Sequence, residues 1–125
     1  MKKLPAFNQR RKEIADKYSK LLSGSEVILP GEKDWAQHVY HLYVIRSKKR
    51  GALKKYLEAS GIKAEIHYPI PCHKQKAVIQ KDAEQLPVTE KIIHEILSLP
   101  MHPQLKNDEL EFIAEKVTDF EKLPC

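Results

Sequence analysis

His67 and Tyr68 stand side by side and run directly into Pro69-Ile70-Pro71-Cys72-His73. Proline fixes φ and lacks an amide donor, so two of them hold this segment out of regular structure. An imidazole and a phenol displayed together there can donate hydrogen bonds to phosphate or sugar oxygens. The bland alternative is a strand end whose polar residues are merely solvated. His67, Cys72 and His73 also form an H-x4-C-H cluster that His102 could join in space. Structural zinc sites pair their ligands at short spacing in both halves of the site, and that pairing is missing here, so no metal is expected. Cys72 beside His73 suggests a nucleophile with its base, yet adjacent side chains rarely aim at one another and no helix N-terminus activates the thiol. Ser60-Gly61-Ile62-Lys63 matches S-x-x-K, but it falls where a helix ends, and the match is read as chance.

A second group of candidates lies at His38, Tyr40, His41, Tyr43 and Arg46. Read as one strand, these place His38, Tyr40 and Arg46 on one face and His41 and Tyr43 on the other. Packing is the expected role of the tyrosines, and Arg46 could reach a carboxylate or a phosphate. Basic residues gather at Lys2, Lys3, Arg10, Arg11 and Lys12 and again at Lys48, Lys49, Arg50, Lys54 and Lys55. A solvated helix face explains them, and no RNP-like aromatic signature, GXXG loop or helix-turn-helix pattern supports nucleic-acid binding. The net charge of +5 leaves a polyanion open as a partner without requiring one.

Elements must hold these residues in place, and 125 residues suffice for one domain. With 42% hydrophobic and 31% charged residues, the chain has a globular composition that excludes wholesale disorder. No apolar run reaches the ~18 residues that cross a bilayer, and Lys2 and Lys3 are not followed by a signal-peptide core. Two cysteines, Cys72 and Cys125, make no disulfide framework, so a cytoplasmic location is expected.

The periodicity predicts a helix from Phe7 to Leu22, opened near Pro5, with Phe7, Ile14, Ala15, Tyr18, Leu21 and Leu22 on its inner face. After a short apolar run at Val27–Leu29, residues 37–46 predict the strongest strand. Lys48–Ser60 predicts a helix closed by Gly61, and Ile62–Tyr68 a second strand. Thr89 is expected to cap a short helix carrying Ile92, Ile93 and Ile96, before a third strand at 96–99. Asn107 is expected to cap a last helix buried along Leu110, Ile113, Ala114, Val117 and Phe120. The fold class expected is α+β, a small, mainly antiparallel three-stranded sheet with helices on one face. No Gly-rich strand-to-helix turn points to a nucleotide-binding Rossmann unit.

Four segments, in order, carry a resemblance. They are F-N-Q-R-R-K-E-I-A-D-K-Y at 7–18, H-L-Y-V-I-R at 41–46, G-I-K-A-E-I-H-Y-P-I-P-C-H at 61–73, and L-P-V-T-E then L-S-L-P-M-H-P between 86 and 103. Together they make the chain resemble the C-terminal small domain of the DegT/DnrJ/EryC1/StrS aminotransferases, fold type I pyridoxal-phosphate enzymes acting on sugar nucleotides. The resemblance covers nearly the whole chain and implies a single domain, 1–125.

It also implies what is missing. Family enzymes keep the Schiff-base lysine, its aspartate partner and most of the phosphate cup in a larger N-terminal domain, of which none is expected here. The chain thus resembles an excised domain or the product of a truncated or split gene, with no pyridoxal phosphate bound and no aminotransferase activity alone. Carried over position by position, His67, Tyr68 and His73 are the implied substrate-binding residues, with contacts to the phosphate or sugar of a nucleotide-sugar substrate. His41, Tyr43 and Arg46 match a strand motif read as architectural, and no catalytic or cofactor-binding residue is implied. A homodimer is compatible with the resemblance. The alternative is a stand-alone binding or regulatory module that uses its basic surface, with nucleic acid as ligand.

Overall fold

In a computed structural model describing residues 3–78 and 85–124, the elements follow in the order α1 (Leu4–Leu21), β1 (Tyr43–Arg46), α2 (Arg50–Ala59), α3 (Pro87–Ile92), β2 (Ile96–Leu99) and α4 (Asn107–Glu121), with a 3-10 turn at Cys72–Lys74. Pro5 lies in the first turn of α1, where its missing amide costs nothing. The buried stripe of α1 is Ile14, Ala15 and Tyr18, continued by Leu22 just beyond its end. Phe7 and Leu21, expected on this face, are exposed. The first two turns of α1 carry no buried residue, and Leu21 lies a helical step round from Tyr18 and Leu22.

β1 and β2 pair antiparallel, with Tyr43 opposite Leu99 and Ile45 opposite Leu97. These four side chains are buried and share one face. Against them the core collects Ile14 and Tyr18 from α1, Leu53 and Leu57 from α2, and Leu110, Ile113 and Val117 from α4. Each such burial contributes about 1.5–3 kcal/mol before entropy is counted. Tyr18 and Tyr43 stack with centroids 4.9 Å apart. Their hydroxyls are satisfied at the rim of the core: Tyr18 donates to the Pro100 carbonyl at 3.0 Å, and Tyr43 shares a hydrogen bond with Ser19 at 2.9 Å.

Among the described residues, the three-stranded expectation is corrected to a two-stranded sheet. Residues 37–46 contribute only Tyr43–Arg46. Upstream, the Tyr40 amide donates to His38 Nδ1 at 2.7 Å, and Tyr40 takes a left-handed φ of 51°. A side chain has captured an amide that a ladder would need, and the strand begins after it. Tyr40 and Tyr43, expected on opposite faces, are both in the core, with ring centroids 6.1 Å apart.

Residues 62–68 also form no strand. They touch β2 through one bridge, Glu65 with Ser98, whose amides and carbonyls exchange hydrogen bonds at 3.1 and 2.7 Å. The expected alternation is present in the side chains, since Ile62 and Ala64 are buried while Lys63 and Glu65 are exposed. On the other edge Ile28 makes a matching bridge to Arg46.

Gly61 closes α2 with a φ of +78°, the left-handed conformation that glycine adopts without Cβ strain. Neither expected cap is the capping residue. α3 begins at Pro87, so Thr89 lies inside it, and Leu86 holds the cap position. Lys106 precedes α4, and its amide is held by the Glu109 carboxylate at 2.8 Å, while the Asn107 side chain accepts from Arg10 at 3.2 Å. The expected stripe of α4 is buried at Leu110, Ile113, Ala114 and Val117, with Phe120 partly buried against Tyr56.

Leu97→Ala, a truncation at the centre of this core, should cost about 2–5 kcal/mol. Val88→Ala, at a side chain 69% exposed, should change stability by no more than about 0.5 kcal/mol. Urea denaturation of both variants checks the contrast.

Candidate functional site

The one-residue bridge at Glu65 places His67 beside the buried Ser98 of β2. His67 Nδ1 lies 2.9 Å from Ser98 Oγ, and its Nε2 lies 3.6 Å from Glu65 Oε2. Glu65 and His67 are two residues apart in extended backbone and so lean to the same side. Lys63 Nζ completes the cluster 3.1 Å from Glu65 Oε1. The Lys63 hydrogen bond and charge, with a smaller contribution from His67, hold the Glu65 carboxyl below its ordinary range.

The peptide bond between His67 and Tyr68 is cis, and their rings meet edge to face at 88° with centroids 5.4 Å apart. His67 is thus oriented by two polar partners, whereas Tyr68 is 68% exposed and projects from the surface. Two concavities meet at His67. A polar one of about 340 Å³ is lined by Arg11, His41, Lys63 and Glu65 among others. A more apolar groove of about 500 Å³ is lined by Tyr68, Ile70, Pro71 and His73 together with Val88 and Ile92 of α3. All three site residues expected from the sequence therefore line one groove.

They are not equivalent within it. The His73 side chain is only 16% exposed and its Nε2 lies 3.3 Å from Glu90 Oε1. Its ring is engaged by Glu90, while Tyr68 is presented outward. Cys72 is exposed on the 3-10 turn beside it. Among the described residues, no group of three or more His, Cys, Asp or Glu side chains could hold a metal ion. Cys125 lies outside the described residues.

Ser98, Glu65 and Glu90 were not singled out by the sequence reading. Glu65 had a signal, its two-residue spacing from His67 in an alternating segment. Ser98 and Glu90 lie inside the fourth of the quoted segments without any local pattern to mark them. Arg46 has found a carboxylate: its Nε and Nη2 both donate to Glu95 Oε2, at 3.0 and 2.6 Å. That pair, beside the β1–β2 ladder, is architectural, and Arg46 holds the Glu95 carboxyl below its ordinary range. Other ion pairs join Lys17 with Glu111, Lys54 with Glu58 and Lys122 with Asp119.

Comparison with known proteins gives this chain a family. Residues 1–118 match the sequence model of the DegT/DnrJ/EryC1/StrS aminotransferase family. The chain is 42% identical over 113 residues to dTDP-3-amino-3,6-dideoxy-alpha-D-galactopyranose transaminase of Aneurinibacillus thermoaerophilus, a match covering 90% of this chain and 31% of that protein. It is 37% identical over 111 residues to UDP-N-acetyl-3-dehydro-alpha-D-glucosamine 3-aminotransferase of Acidithiobacillus ferrooxidans, covering 89% of this chain and 30% of that one. Among solved structures, a DegT DnrJ EryC1 StrS aminotransferase from Brucella abortus superposes with a TM-score of 0.87 at 32% identity, over 97% of this chain and 33% of the other. DesV of S. venezuelae, solved with a ketimine intermediate, gives 0.91 at 28% identity over 98% and 34%.

The chain belongs to the DegT/DnrJ/EryC1/StrS aminotransferase family. It spans about a third of the length of the curated relatives it matches. No described helix is long and apolar enough to cross a membrane.

The depressed carboxyl of Glu95 sets a pH dependence. Its folded value lies below the unfolded one, so its contribution is complete above the ordinary carboxylate range and is lost as pH falls through the folded value. Arg46→Met should lower stability at neutral pH and make the further loss below about pH 4.5 shallower than in the parent chain. Urea midpoints measured from pH 7 down to the acid limb check this.

Proposed function

We propose that this chain is the C-terminal, substrate-side small domain of a pyridoxal-phosphate-dependent sugar-nucleotide aminotransferase. In this reading His67 and Tyr68 face the phosphate or sugar portion of a nucleotide-sugar substrate. The observation that carries it is the presentation of the His-Tyr-Pro segment. An imidazole oriented by Ser98 and an exposed phenol stand where a polar concavity meets an apolar groove. Such a pair suits a ligand with an anionic part and a less polar part. The membership of the chain in an aminotransferase family, at a third of its relatives' length, supports a partial contribution to a larger site.

The residues described do not fit the cofactor itself. An internal Schiff base calls for a desolvated lysine of lowered pKa, and no described lysine is buried. Nor does any glycine form a tight cradle, since a Cβ built on Gly24, Gly31, Gly51 or Gly61 meets nothing within 4 Å. The cofactor and the reacting lysine are therefore assigned to a large domain outside this chain, and the isolated chain is read as one domain inactive in amino-group transfer. A location in the cytoplasm, where nucleotide sugars are used, and assembly as a homodimer of completed enzymes belong to the same reading.

A chimera tests it. This chain would replace the matching third of the Aneurinibacillus transaminase, and amino transfer to that enzyme's sugar-nucleotide substrate would be followed. A folded chimera that binds pyridoxal phosphate and transfers the amino group supports the proposal. His67→Ala and Tyr68→Ala in the chimera should then each lower kcat/KM by about tenfold, the scale of one lost polar contact to substrate. A folded, cofactor-loaded chimera indifferent to both substitutions would remove the site assignment. The isolated chain mixed with pyridoxal phosphate should show no saturable aldimine absorbance; one band at one equivalent would overturn its reading as cofactor-free.

A further inference from the structure

The structure brings His73, which the resemblance implies as a substrate contact, together with the L-P-V-T-E stretch. Glu90 of α3 meets His73 Nε2 through Oε1 at 3.3 Å, and the same oxygen accepts from the Leu86 amide at 3.3 Å. Its other oxygen pairs with Lys74 Nζ at 2.7 Å. Lys74 and His73 together hold the Glu90 carboxyl below its ordinary range, with Lys74 the larger cause.

One carboxylate thus joins the turn at 72–74 to the start of α3. Neither the 3-10 turn nor α3 contains a buried residue. The backbone hydrogen bonds of the turn are local, from Lys74 to Pro71, Gln75 to Cys72 and Val78 to Gln75. Among the described residues, the hydrogen bonds and ion pairs that cross between 69–78 and 86–95 all converge on Glu90. These stretches supply the lining of the apolar groove: Tyr68, Ile70 and Pro71 precede the turn, and Val88, Ile92 and Ile93 belong to α3 or its end.

We propose that Glu90 is a positioning residue, a polar tether that fastens the Pro69–Lys74 segment to α3 and thereby sets the shape of the groove from which Tyr68 projects. His73 and Lys74 act as its anchors, so His73 belongs to the framework of the groove and not to its ligand contacts. The tether is a property of this chain and holds whichever ligand the groove takes.

Amide hydrogen exchange on the full chain at neutral pH tests it. Glu90→Gln keeps an acceptor for the Leu86 amide and removes the charge. It should speed exchange at Lys74, Gln75 and Val78 by about three- to fivefold, the scale of partly exposed ion pairs, and leave Ile45 and Leu97 of the sheet unchanged. Lys74→Met should act less than additively with Glu90→Gln, because both break one tether. The charge swap, Glu90→Lys with Lys74→Glu, should restore part of the lost protection. Glu90 also lies in the first turn of α3, where a carboxylate favours the helix by itself. If the swap restores nothing, or if Glu90→Gln loosens only α3 or the whole chain uniformly, the tether is overturned.

Discussion

A two-stranded ribbon is marginal in water by itself, and this one has only four residue pairs. Everything else depends on hiding its single apolar face, formed by Tyr43, Ile45, Leu97 and Leu99. Three helices do the covering, and each earns its place in the sequence through a stripe that faces this patch: Ile14 and Tyr18, Leu53 and Leu57, Leu110 and Val117. The stacked rings of Tyr18 and Tyr43 belong to that contact. Because both hydroxyls find partners at the edge of the core, the rings can be buried without leaving an unmade hydrogen bond.

The site hangs from the back of this ribbon. Ser98 lies between Leu97 and Leu99 in β2, so its side chain faces away from theirs, toward His67. The rigidity of the core is passed to the imidazole through one serine and one backbone bridge. Tyr68, next in the chain, receives none of that support directly. The oriented ring and the projecting ring are thus neighbours in the chain, one tied to the ribbon through Ser98 and the other exposed beside segments without a buried residue.

How much of this was legible in the sequence varied with the range of the interactions. α4 was read almost residue for residue, because a 3.6-residue stripe from Leu110 to Val117 is a local signal that tertiary packing only reinforces. Gly61 announced the end of α2 for the same reason. The strand at 37–46 was overextended. Val39, Tyr40 and Leu42 have strand-like side chains in either case, and the event that ends the pairing, an amide captured by His38, leaves no trace in hydrophobic pattern. At 62–68 the alternation was real, yet alternation reports which side chains are buried and not whether the backbone finds a continuous partner. His67 and Tyr68 could be picked out because prolines frame them. The link from His73 to Glu90 spans seventeen residues with no periodicity between them, and only the folded chain shows it.

The ribbon's edges decide how this chain can meet others. β1 is flanked by the bridge from Ile28 and β2 by the bridge from Glu65, each one residue long and each followed by backbone that leaves the sheet. An open edge normally invites a neighbouring strand to dock, the commonest route to unplanned polymerisation. Here both outer rows of amides are interrupted at their middle or end before a visitor could align with them. A strand arriving at either edge therefore meets a residue whose peptide groups are already paired, Arg46 on one side and Ser98 on the other.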